Sequence, residues 1–231
     1  MIPEDERLDL ELLRDAVAYQ EWVMGVFAPA VRGDVLEVGA GIGNFTRWIA
    51  RRAERVMVAE PDASMAEEVE RLSPPNVEVR ASMLEMLDVG ERRFDAAVMI
   101  NVLEHIEDEA AALRAVRSLL RPGGRLCLFV PAHMALFGSL DKRYGHLRRY
   151  RRDDVAAQLA DVGFEVELCR YFNVIGALGW WAVGRVARRP RLSVGSVRLS
   201  ERVAVPVGRW LDRLGFRPFG QSVIAIARAS E

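Results

Sequence analysis

Short apolar segments alternate with amphipathic segments along most of this chain. Seven segments have the length and apolar character of strands, and Phe94–Ile100 is apolar except for Asp95, as in a central strand buried on both faces. The predicted strands are 34–38, 55–59, 77–80, 94–100, 125–130, 164–171 and 221–228. Between them, apolar residues at three- and four-residue spacing predict helices. The predicted helices are 4–29, 44–52, 63–72, 108–120 and 153–160.

This alternation of strands and helices predicts an α/β domain built on a mainly parallel sheet. Proline- and glycine-rich breaks at 73–75 and 121–124 predict turns between elements. The segment 173–218 is too long for a plain connection, so we expect an elaboration with its own helices. A chain of 231 residues, 51% of them hydrophobic, can bury one core. We therefore predict a single domain.

Three glycines at alternate positions follow the first predicted strand. Gly39, Gly41 and Gly43 would let the backbone turn tightly and approach a ligand where a Cβ atom would collide. The dinucleotide fingerprint G-x-G-x-x-G requires glycine at position 44, where this chain has Asn44. Glu37 precedes the turn, and its charge would repel a pyrophosphate but suit a ligand with an amine. The turn therefore predicts a nucleotide-type ligand other than a dinucleotide.

The pattern E-x-G-x-G-x-G from Glu37 to Gly43 resembles motif I of class I S-adenosylmethionine-dependent methyltransferases. The segment Asn101–Ile106, Asn-Val-Leu-Glu-His-Ile, is similar to the N-x-L-E-H-[IV] segment of the ubiquinone-biosynthesis-like small-molecule methyltransferases. The Leu-Arg-Pro-Gly-Gly sequence at 120–124 follows in the order expected for this family. The resemblance covers residues 30–170 and, more weakly, the C-terminal strand.

This resemblance implies a Rossmann-like methyltransferase fold. Its sheet would be seven-stranded and mainly parallel, with an antiparallel last strand and a helical insertion before it. One domain, 1–231, would then comprise an N-terminal helical cover (1–30), a core (31–172), a helical elaboration or lid (173–218) and a last strand (219–231).

The resemblance also implies S-adenosylmethionine as the cofactor. Glu60 ends the second strand, where a carboxylate can accept hydrogen bonds from both hydroxyls of a ribose. Ser82 stands where many relatives carry an adenine-binding aspartate and departs from that pattern. Tyr19 and Trp22 either cover the cofactor or belong to the core. The expected cofactor-binding residues are Tyr19, Trp22, Glu37, Gly39, Ala40, Gly41, Asn44, Glu60, Pro61, Met65, Ser82, Met83, Asn101, Val102 and His105.

Methyl transfer from a sulfonium is an in-line displacement at carbon, so positioning is the enzyme's main task. An oxygen acceptor with a high pKa also benefits from a general base, for which histidine is suited. His133, which follows the fifth strand, is the first candidate, and His146 is the second. His105 would line the cofactor site, contact the substrate or cap the next helix. The alternative for His133 is that it only shapes its loop.

A second candidate site lies in the glycine-punctuated loop 137–150, since binding residues concentrate in loops. Its G-H-x-R-R-Y sequence resembles a segment of bacterial methyltransferases associated with sugar, polyketide and cell-envelope pathways. Arg148 and Arg149 can hold a carboxylate or phosphate bidentately, so with Asp141 and Tyr150 they are candidate substrate-binding residues. Alternatively, Arg148 pairs with Asp141 or Asp153 and stiffens the loop.

Charge is distributed unevenly along the chain. Residues 1–110 carry 24 acidic and 11 basic side chains, whereas residues 111–231 carry 9 acidic and 21 basic ones. Almost all of the cations are arginine, Lys142 being the only lysine. Either the arginines form a solvated surface, or the second half meets an anionic substrate or a membrane surface.

Cysteine usage and the first residues of the chain predict a cytoplasmic protein. Cys127 and Cys169 lie in apolar strand-like runs, which favours packing thiols in a reducing compartment over a disulfide or metal pair. The acidic start lacks the basic and apolar regions of a signal peptide. No apolar run reaches the length of a membrane-spanning helix.

The leading functional interpretation is methyl transfer to a small molecule, at oxygen or nitrogen. An alternative is methylation of a lipid-linked or amphipathic envelope intermediate at a membrane surface, because Trp180 and Trp181 in an apolar helix precede Arg185, Arg188, Arg189 and Arg191. A lid over the site, which we favour, or a dimer contact would explain the same stretch. A third interpretation is a non-catalytic S-adenosylmethionine-binding regulatory module. A nucleic-acid substrate is not expected, because no N/D-P-P-Y-type motif follows the fourth strand, but the basic second half of the chain leaves an RNA substrate open.

Overall fold

The computed structural model describes residues 4–182 and 193–230. Within them, seven strands form one sheet: β1 (Asp34–Val38), β2 (Arg55–Ala59), β3 (Val77–Arg80), β4 (Phe94–Ile100), β5 (Leu120–Pro131), β6 (Phe164–Phe172) and β7 (Ser222–Ala229). Their order is β3-β2-β1-β4-β5-β7-β6. The first five strands pair in parallel, and β7 lies antiparallel between β5 and β6. The predicted mainly parallel sheet with an antiparallel last strand is therefore confirmed.

Helices cover both faces of the sheet. They are α1 (Glu4–Arg14), α2 (Val17–Phe27), α3 (Thr46–Ala50), α4 (Ala63–Leu72), α5 (Glu109–Leu119), α6 (Ser139–Arg143), α7 (Arg152–Asp161), α8 (Val174–Trp181), α9 (Val194–Leu199) and α10 (Val205–Arg213). A π-helical turn, Ser200–Ala204, joins α9 to α10. Short 3-10 turns occupy Leu84–Met86, Leu103–His105 and Met134–Leu136. The helices after β6 form the expected helical insertion before the last strand.

The single helix predicted over residues 4–29 is wrong, because the chain breaks at Ala16. Ala16 is buried and leaves helical geometry at ψ 55°. The helices on either side bury different surfaces. Arg7 and Arg14 of α1 pair with Glu68 of α4, whereas α2 packs apolar residues such as Phe27 into the core. One straight helix could not reach both partners.

The turn predicted at 121–124 is also wrong, since these residues lie inside β5. Leu120 pairs with Phe94, and the next paired residues are Arg125 and Ala96, so β5 carries three more residues than β4 across this stretch. The additional residues form an irregularity in which Gly123 has φ 77°. A glycine-rich stretch thus produces a bulge within the pair of strands instead of ending one.

The core consists of two apolar clusters, one on each face of the sheet. The first includes Leu36 and Met99 and packs against α5 and α7. The second includes Val35 and Phe129 and packs against α2 and α3. Consecutive residues of β1 face opposite clusters because strand side chains alternate, which is why this strand is buried throughout.

Phe172, fully buried at the end of β6, joins the N-terminal cover to the sheet. Its ring lies 4.1 Å from the Trp22 ring and makes edge-on contacts with Tyr19 and Phe129. The helical insertion reaches the same place, because Gly208 of α10 packs against the Trp22 ring. The cover, the sheet and the insertion therefore meet at one aromatic cluster.

Both cysteines are free thiols in the structure. Cys127 of β5 is buried, and Cys169 of β6 is half-buried. Among the helices of residues 4–182 and 193–230, none combines the length and the apolar character needed to cross a bilayer.

We expect Phe172→Ala to lower the free energy of unfolding by about 3–5 kcal/mol, the usual cost of emptying a buried phenylalanine site. Denaturant titration followed by circular dichroism measures this change. Phe216→Ala is the matched control, because Phe216 is 53% exposed and its truncation should change stability by less than about 0.5 kcal/mol. Equal effects of the two substitutions would contradict the role of the aromatic cluster.

Candidate functional site

The glycine turn follows β1 and is pressed against the loop that follows β4. Gly39, Gly41 and Gly43 all have positive φ, at 70°, 56° and 82°. A Cβ atom on Gly39 would lie 2.5 Å from Cγ2 of Val102, so a side chain here would collide as well as strain the backbone. The turn thus brings the carboxyl ends of two neighbouring strands together, at the point where ligands bind in sheets of this type.

Glu37, on β1, is buried directly beneath this turn. Its side chain is 4% exposed, and its Oε2 atom has no hydrogen-bond partner among the described residues. Burial raises the pKa of Glu37 to about 7; the nearby Thr46 hydroxyl acts to lower it, and Glu60 acts to raise it. An unpaired buried carboxylate is costly unless a ligand supplies a donor or a positive charge. Glu37 therefore fits the amino group of a ligand lying in the turn.

Glu60, immediately after β2, faces the turn from the other side. It is 3% exposed, and its two oxygens accept hydrogen bonds from the backbone N–H groups of Gly41 (2.8 Å) and Asp62 (3.0 Å). Burial raises its pKa, while these two hydrogen bonds act to lower it. Each carboxylate oxygen keeps a second lone pair, so Glu60 can also accept hydrogen bonds from ligand hydroxyls.

Helix α1 lies over the turn. The Nδ2 atom of Asn44 donates to the carbonyl of Leu10 at 2.9 Å, and Cδ1 of Leu10 is 3.6 Å from where a Cβ on Gly41 would be. Asn44 therefore ties the N-terminal cover to the site, a contact between residues far apart in sequence. Its Oδ1 atom is buried and without a described partner.

The other expected cofactor residues differ in how far they are buried. Met65 is fully buried and Ala40 half-buried, whereas Pro61, Met83 and Asn101 are exposed. Asn101 adopts φ 53°, which is uncommon for a residue other than glycine and turns the chain sharply after β4. The Ser82 hydroxyl donates to the carbonyl of Met83 at 2.9 Å. Tyr19 and Trp22 pack against Phe172, so their contacts are those of core residues.

A cluster of ionisable groups follows β4, next to Val102. Glu104 is completely buried, and neither of its carboxylate oxygens has a hydrogen-bond partner among the described residues. Its Oε1 atom is 3.8 Å from Nε2 of His146, and the His105 and His146 rings meet edge-on at 5.0 Å. Burial raises the pKa of Glu104 to about 8. His105 is exposed overall, but desolvation of its ring beside the protein, followed by the proximity of His146, lowers its pKa.

Asp141 contacts this cluster through the His146 ring. It is buried, its Oδ1 atom lies 2.9 Å from Nδ1 of His146, and its Oδ2 atom accepts from the N–H of Gly138. Although burial acts to raise it, hydrogen bonds from His146 and Arg149 hold the pKa of Asp141 below its ordinary value. Because an ionised carboxylate only accepts hydrogen bonds, Nδ1 of His146 carries the proton when the ring is neutral. Nε2 then presents a lone pair toward Glu104 and His105.

Glu104, His105 and His146 are the described residues best placed to hold a cation. One ligand atom from each lies within 4.8 Å of the others. Neutral imidazoles and a carboxylate are suitable ligands for a divalent transition metal.

The remaining predicted substrate residues make internal contacts. Arg149 is buried, and its Nε atom donates to Asp141 at 2.6 Å. Arg148 pairs with Glu109 at 2.5 Å, and the Tyr150 hydroxyl donates to the same carboxylate. The expected alternative pairing of Arg148 with Asp141 or Asp153 is therefore wrong. Burial explains the difference, because only Arg149 points inward, where a charge must find a partner.

His133 follows β5, and its backbone N–H donates to the carbonyl of Tyr150 at 2.8 Å. It adopts φ 60°, its ring packs on Tyr171 at 4.5 Å, and its buried Nε2 atom has no partner among the described residues. Burial lowers its pKa, and Arg151 and Arg149 act in the same direction. No carboxylate among the described residues orients His133 as Asp141 orients His146.

Helix α8 partly covers the cluster. The guanidinium of Arg149 lies over the Trp180 ring at 5.1 Å, whereas Trp181 is 49% exposed. Trp180 therefore packs against a buried arginine, whereas Trp181 faces solvent. The basic residues expected after this helix, Arg185, Arg188, Arg189 and Arg191, lie outside the described residues.

Two contributors to the site escaped the sequence interpretation. Glu104 belongs to the N-x-L-E-H-[IV] motif, and an acid that directly follows Leu103 just after a buried strand is a usable signal of a buried carboxylate. Asp9 of α1 accepts a hydrogen bond from the Tyr144 hydroxyl at 2.8 Å and so links the cover to the His146 loop. That contact has no local signal in the sequence.

Comparison with known proteins gives consistent matches. A family model described as "Methyltransferase domain" matches residues 11–168. The chain is 31% identical, over 143 residues, to a Mycobacterium tuberculosis H37Rv protein named "Probable S-adenosylmethionine-dependent methyltransferase"; the match covers 61% of this chain and 52% of that protein. The chain thus spans about half the length of that relative. It is also 31% identical, over 164 residues, to the ubiquinone biosynthesis O-methyltransferase of Xanthomonas axonopodis pv. citri, covering 64% of this chain and 68% of that protein.

Solved structures share the fold at lower identity. An S-adenosylmethionine dependent methyltransferase from Mesorhizobium loti superposes with a TM-score of 0.60 at 20% identity, covering 90% of this chain and 97% of that one. The N-methyltransferase NodS from Bradyrhizobium japonicum, in complex with S-adenosyl-L-homocysteine, superposes with a TM-score of 0.59 at 15% identity. The superposition covers 92% of this chain and 86% of that one.

We expect Gly39→Ala to destabilise the protein more than Gly90→Ala does. Both glycines have positive φ, so both substitutions strain the backbone, but only at Gly39 would the new Cβ meet another residue. The difference in the free energy of unfolding therefore isolates the collision with Val102. Thermal unfolding of the two variants measures it, and the double variant Gly39→Ala/Val102→Ala should recover part of the loss. Equal destabilisation at the two positions would contradict the close approach of the two loops.

Proposed function

This chain belongs to the methyltransferase domain family, and on that premise we propose that it transfers the methyl group of S-adenosylmethionine to an oxygen or nitrogen atom of a small-molecule acceptor. The observation that carries the proposal is the buried, unpaired Oε2 atom of Glu37 beneath a glycine turn whose opposite wall is Glu60. An amine-bearing nucleoside matches this pair of carboxylates, whereas a pyrophosphate would be repelled by both.

In this proposal the two carboxylates hold two different parts of the cofactor, the methionine moiety and the ribose. Glu37 accepts from the ammonium group of the methionine moiety, and Glu60 accepts from the ribose hydroxyls. The positive φ angles of Gly39 and Gly41 let the backbone approach the ligand between them. Helix α1, tied down by Asn44, excludes water from one side of the turn.

His146 is the general base in this proposal. Asp141 fixes its ring and keeps Nδ1 protonated, which leaves Nε2 as the proton acceptor on the side of Glu104 and His105. The His146 ring lies beside the loop that carries Val102, which contacts the glycine turn. His133 is the second candidate, because it lies at the same edge of the sheet but lacks an orienting carboxylate among the described residues.

The chemistry that follows is a single displacement. When bound, S-adenosylmethionine supplies an electrophilic methyl carbon attached to a sulfonium. The acceptor lone pair would form the new bond to this carbon, and the electron pair of the carbon–sulfur bond would return to sulfur. His146 takes the acceptor proton at Nε2, and Asp141 stabilises the imidazolium that forms. Alignment of acceptor and methyl group supplies most of the rate.

A non-catalytic S-adenosylmethionine-binding module would share the cofactor contacts but not the proton transfer. Incubation with S-adenosylmethionine and a panel of phenols and amines, followed by quantification of S-adenosylhomocysteine, separates the two functions. Acceptor-dependent formation of S-adenosylhomocysteine supports the enzyme. Tight cofactor binding without turnover over the whole panel would favour the module.

We expect the affinity for S-adenosylhomocysteine to fall as the pH drops below about 7. Glu37 must be ionised to pair with the ligand's ammonium group, and its pKa of about 7 means that acid neutralises it within this range. The loss approaches tenfold per pH unit below the pKa. Isothermal titration calorimetry between pH 5.5 and pH 8 measures it.

Two variants serve as controls for this pH dependence. Glu37→Gln should bind weakly, with an affinity that hardly changes with pH. Glu60→Ala should bind severalfold or more weakly at every pH, because it loses the diol contacts, yet keep the dependence that comes from Glu37. Wild-type affinity that stays constant from pH 5.5 to 8 would remove Glu37 from the ligand site.

We expect His146→Gln to lower the rate of methyl transfer to a phenol about a hundredfold or more, the usual contribution of a general base. Its affinity for S-adenosylhomocysteine should stay close to that of the wild type, because His146 contacts the acceptor. Initial rates from pH 6 to 10 should show the variant regaining rate as the phenol ionises by itself. His133→Gln is the matched substitution: if it, and not His146→Gln, produces this profile, His133 is the base.

A further inference from the structure

We propose that the outer face of the insertion helix docks on an anionic membrane surface. The insertion helix is α9, the π turn and α10, residues 194–213, and its outer face consists of Leu199, Val203, Val207, Trp210 and the adjoining Leu214. These five apolar side chains recur at steps of four, four, three and four residues and are 64%, 52%, 42%, 59% and 63% exposed. Docking of the outer face would place the chain at the membrane surface, whichever acceptor is methylated.

The opposite face of the same helix is the one that packs on the protein. Val197 and Val205 are buried there, and Gly208 contacts Trp22. A helix on a protein surface normally buries its apolar face and exposes polar residues. This helix buries one face and exposes a second apolar row of large side chains. An apolar row of this size in solvent indicates an interaction surface.

A row of cations borders the outer face. Arg198, Arg202, Arg209 and Arg213 follow one side of the helix at steps of four, seven and four residues. Arg209 approaches Glu21 at 3.8 Å, and no carboxylate among the side chains described in 7–182 and 193–230 forms an ion pair with the other three. Their guanidinium groups are therefore available to anionic headgroups.

Both acidic residues of the insertion helix are turned away from this surface. The Glu201 oxygens accept from the N–H groups of Ala18 (2.7 Å) and Tyr19 (3.1 Å) at the start of α2. Asp212 is held by Arg170 and by Arg217, each at 2.5 Å. Since the two carboxylates already have partners, the arginines are the charged side chains that the insertion helix offers beside its outer face.

This charge pattern favours a membrane over a second copy of the chain. A symmetric dimer through the outer face would bring one arginine row close to another, without a free carboxylate on the helix to neutralise them. An amphipathic helix with tryptophan and leucine on its apolar side and arginine along its border matches the composition of helices that lie in the plane of anionic bilayers. Indole rings also favour the headgroup region, where Trp210 would insert.

Docking in this way would place the candidate site near the bilayer. The insertion helix contacts α8 and α2, and α8 carries the Trp180 ring that stacks on Arg149. An amphipathic acceptor held in the membrane could then reach the cluster around His146 without leaving the surface.

Sedimentation with vesicles tests the proposal on the full chain. Phosphatidylcholine vesicles with and without phosphatidylglycerol are the probes, at low and high salt. We expect binding only to the vesicles that contain phosphatidylglycerol, weakened by salt. Trp210→Ser/Leu214→Ser should weaken it by about tenfold or more. Arg202→Gln/Arg213→Gln should weaken it by about fivefold for each arginine removed.

Leu72→Ser is the matched control for the leucine substitution. Leu72 is 56% exposed at the end of α4, far from the insertion helix in sequence, and its loss should leave vesicle binding unchanged. Circular dichroism and S-adenosylhomocysteine affinity should match the wild type in all of these variants. Weak S-adenosylhomocysteine binding by the wild type would contradict the proposed function but would leave the docking result interpretable.

Each of the following results would overturn the proposal. Wild-type protein that does not sediment with anionic vesicles excludes the membrane as partner. If the same protein is a dimer in analytical ultracentrifugation and Trp210→Ser makes it monomeric, the outer face joins two copies of this chain instead. Vesicle binding that survives the double substitution Trp210→Ser/Leu214→Ser would locate the contact elsewhere.

Discussion

Burial of carboxylates at the carboxyl edge of the sheet is the constraint on which this site depends. Glu37 lies near the end of β1, Glu60 and Glu104 follow the neighbouring strands β2 and β4, and each is 4% exposed or less. Burying an ionised carboxylate without full pairing costs free energy, and the raised pKa values of all three express that cost. A ligand that brings hydroxyl hydrogens and a positive charge reduces it. In the proposed function, the ammonium and hydroxyl groups of the cofactor supply what Glu37 and Glu60 lack.

The proposed acceptor side of the site is organised by the buried ion pair of Arg149 and Asp141. Arg149 and Asp141 neutralise each other, and Trp180 covers the guanidinium. Such a pair contributes little net stability, because desolvation offsets most of the attraction. It fixes geometry instead, since the same Asp141 carboxylate holds His146. The two arginines of the G-H-x-R-R-Y segment consequently differ: Arg149 supports the histidine, and Arg148 pairs with Glu109 near the surface.

The proposed docking surface and the proposed catalytic cluster share one support. Phe172 and Trp22 hold the N-terminal cover and the insertion helix on the sheet, and Glu201 ties that helix to the start of α2. Through these contacts, the insertion helix that carries the outer face is attached to the same sheet as the glycine turn. The proposed membrane attachment and the proposed methyl transfer should therefore respond to different substitutions, while the same aromatic cluster stabilises both regions.

The sequence by itself determined the local features. Apolar runs located β1 to β4 and α4 at the ends found in the structure, and the glycine spacing with Glu37 and Asn44 indicated the class of nucleotide, because backbone conformation and strand burial depend on nearby residues. Tertiary structure decided what distant residues do to one another. It broke the first predicted helix at Ala16, so that α1 and α2 pack on different partners, and it chose Arg149 over Arg148 for Asp141. It also left Glu104 unpaired in the interior and turned an apolar row of the insertion helix outward. Periodicity shows that a helix has apolar faces, but only packing decides which face is buried and which buried charge finds a partner.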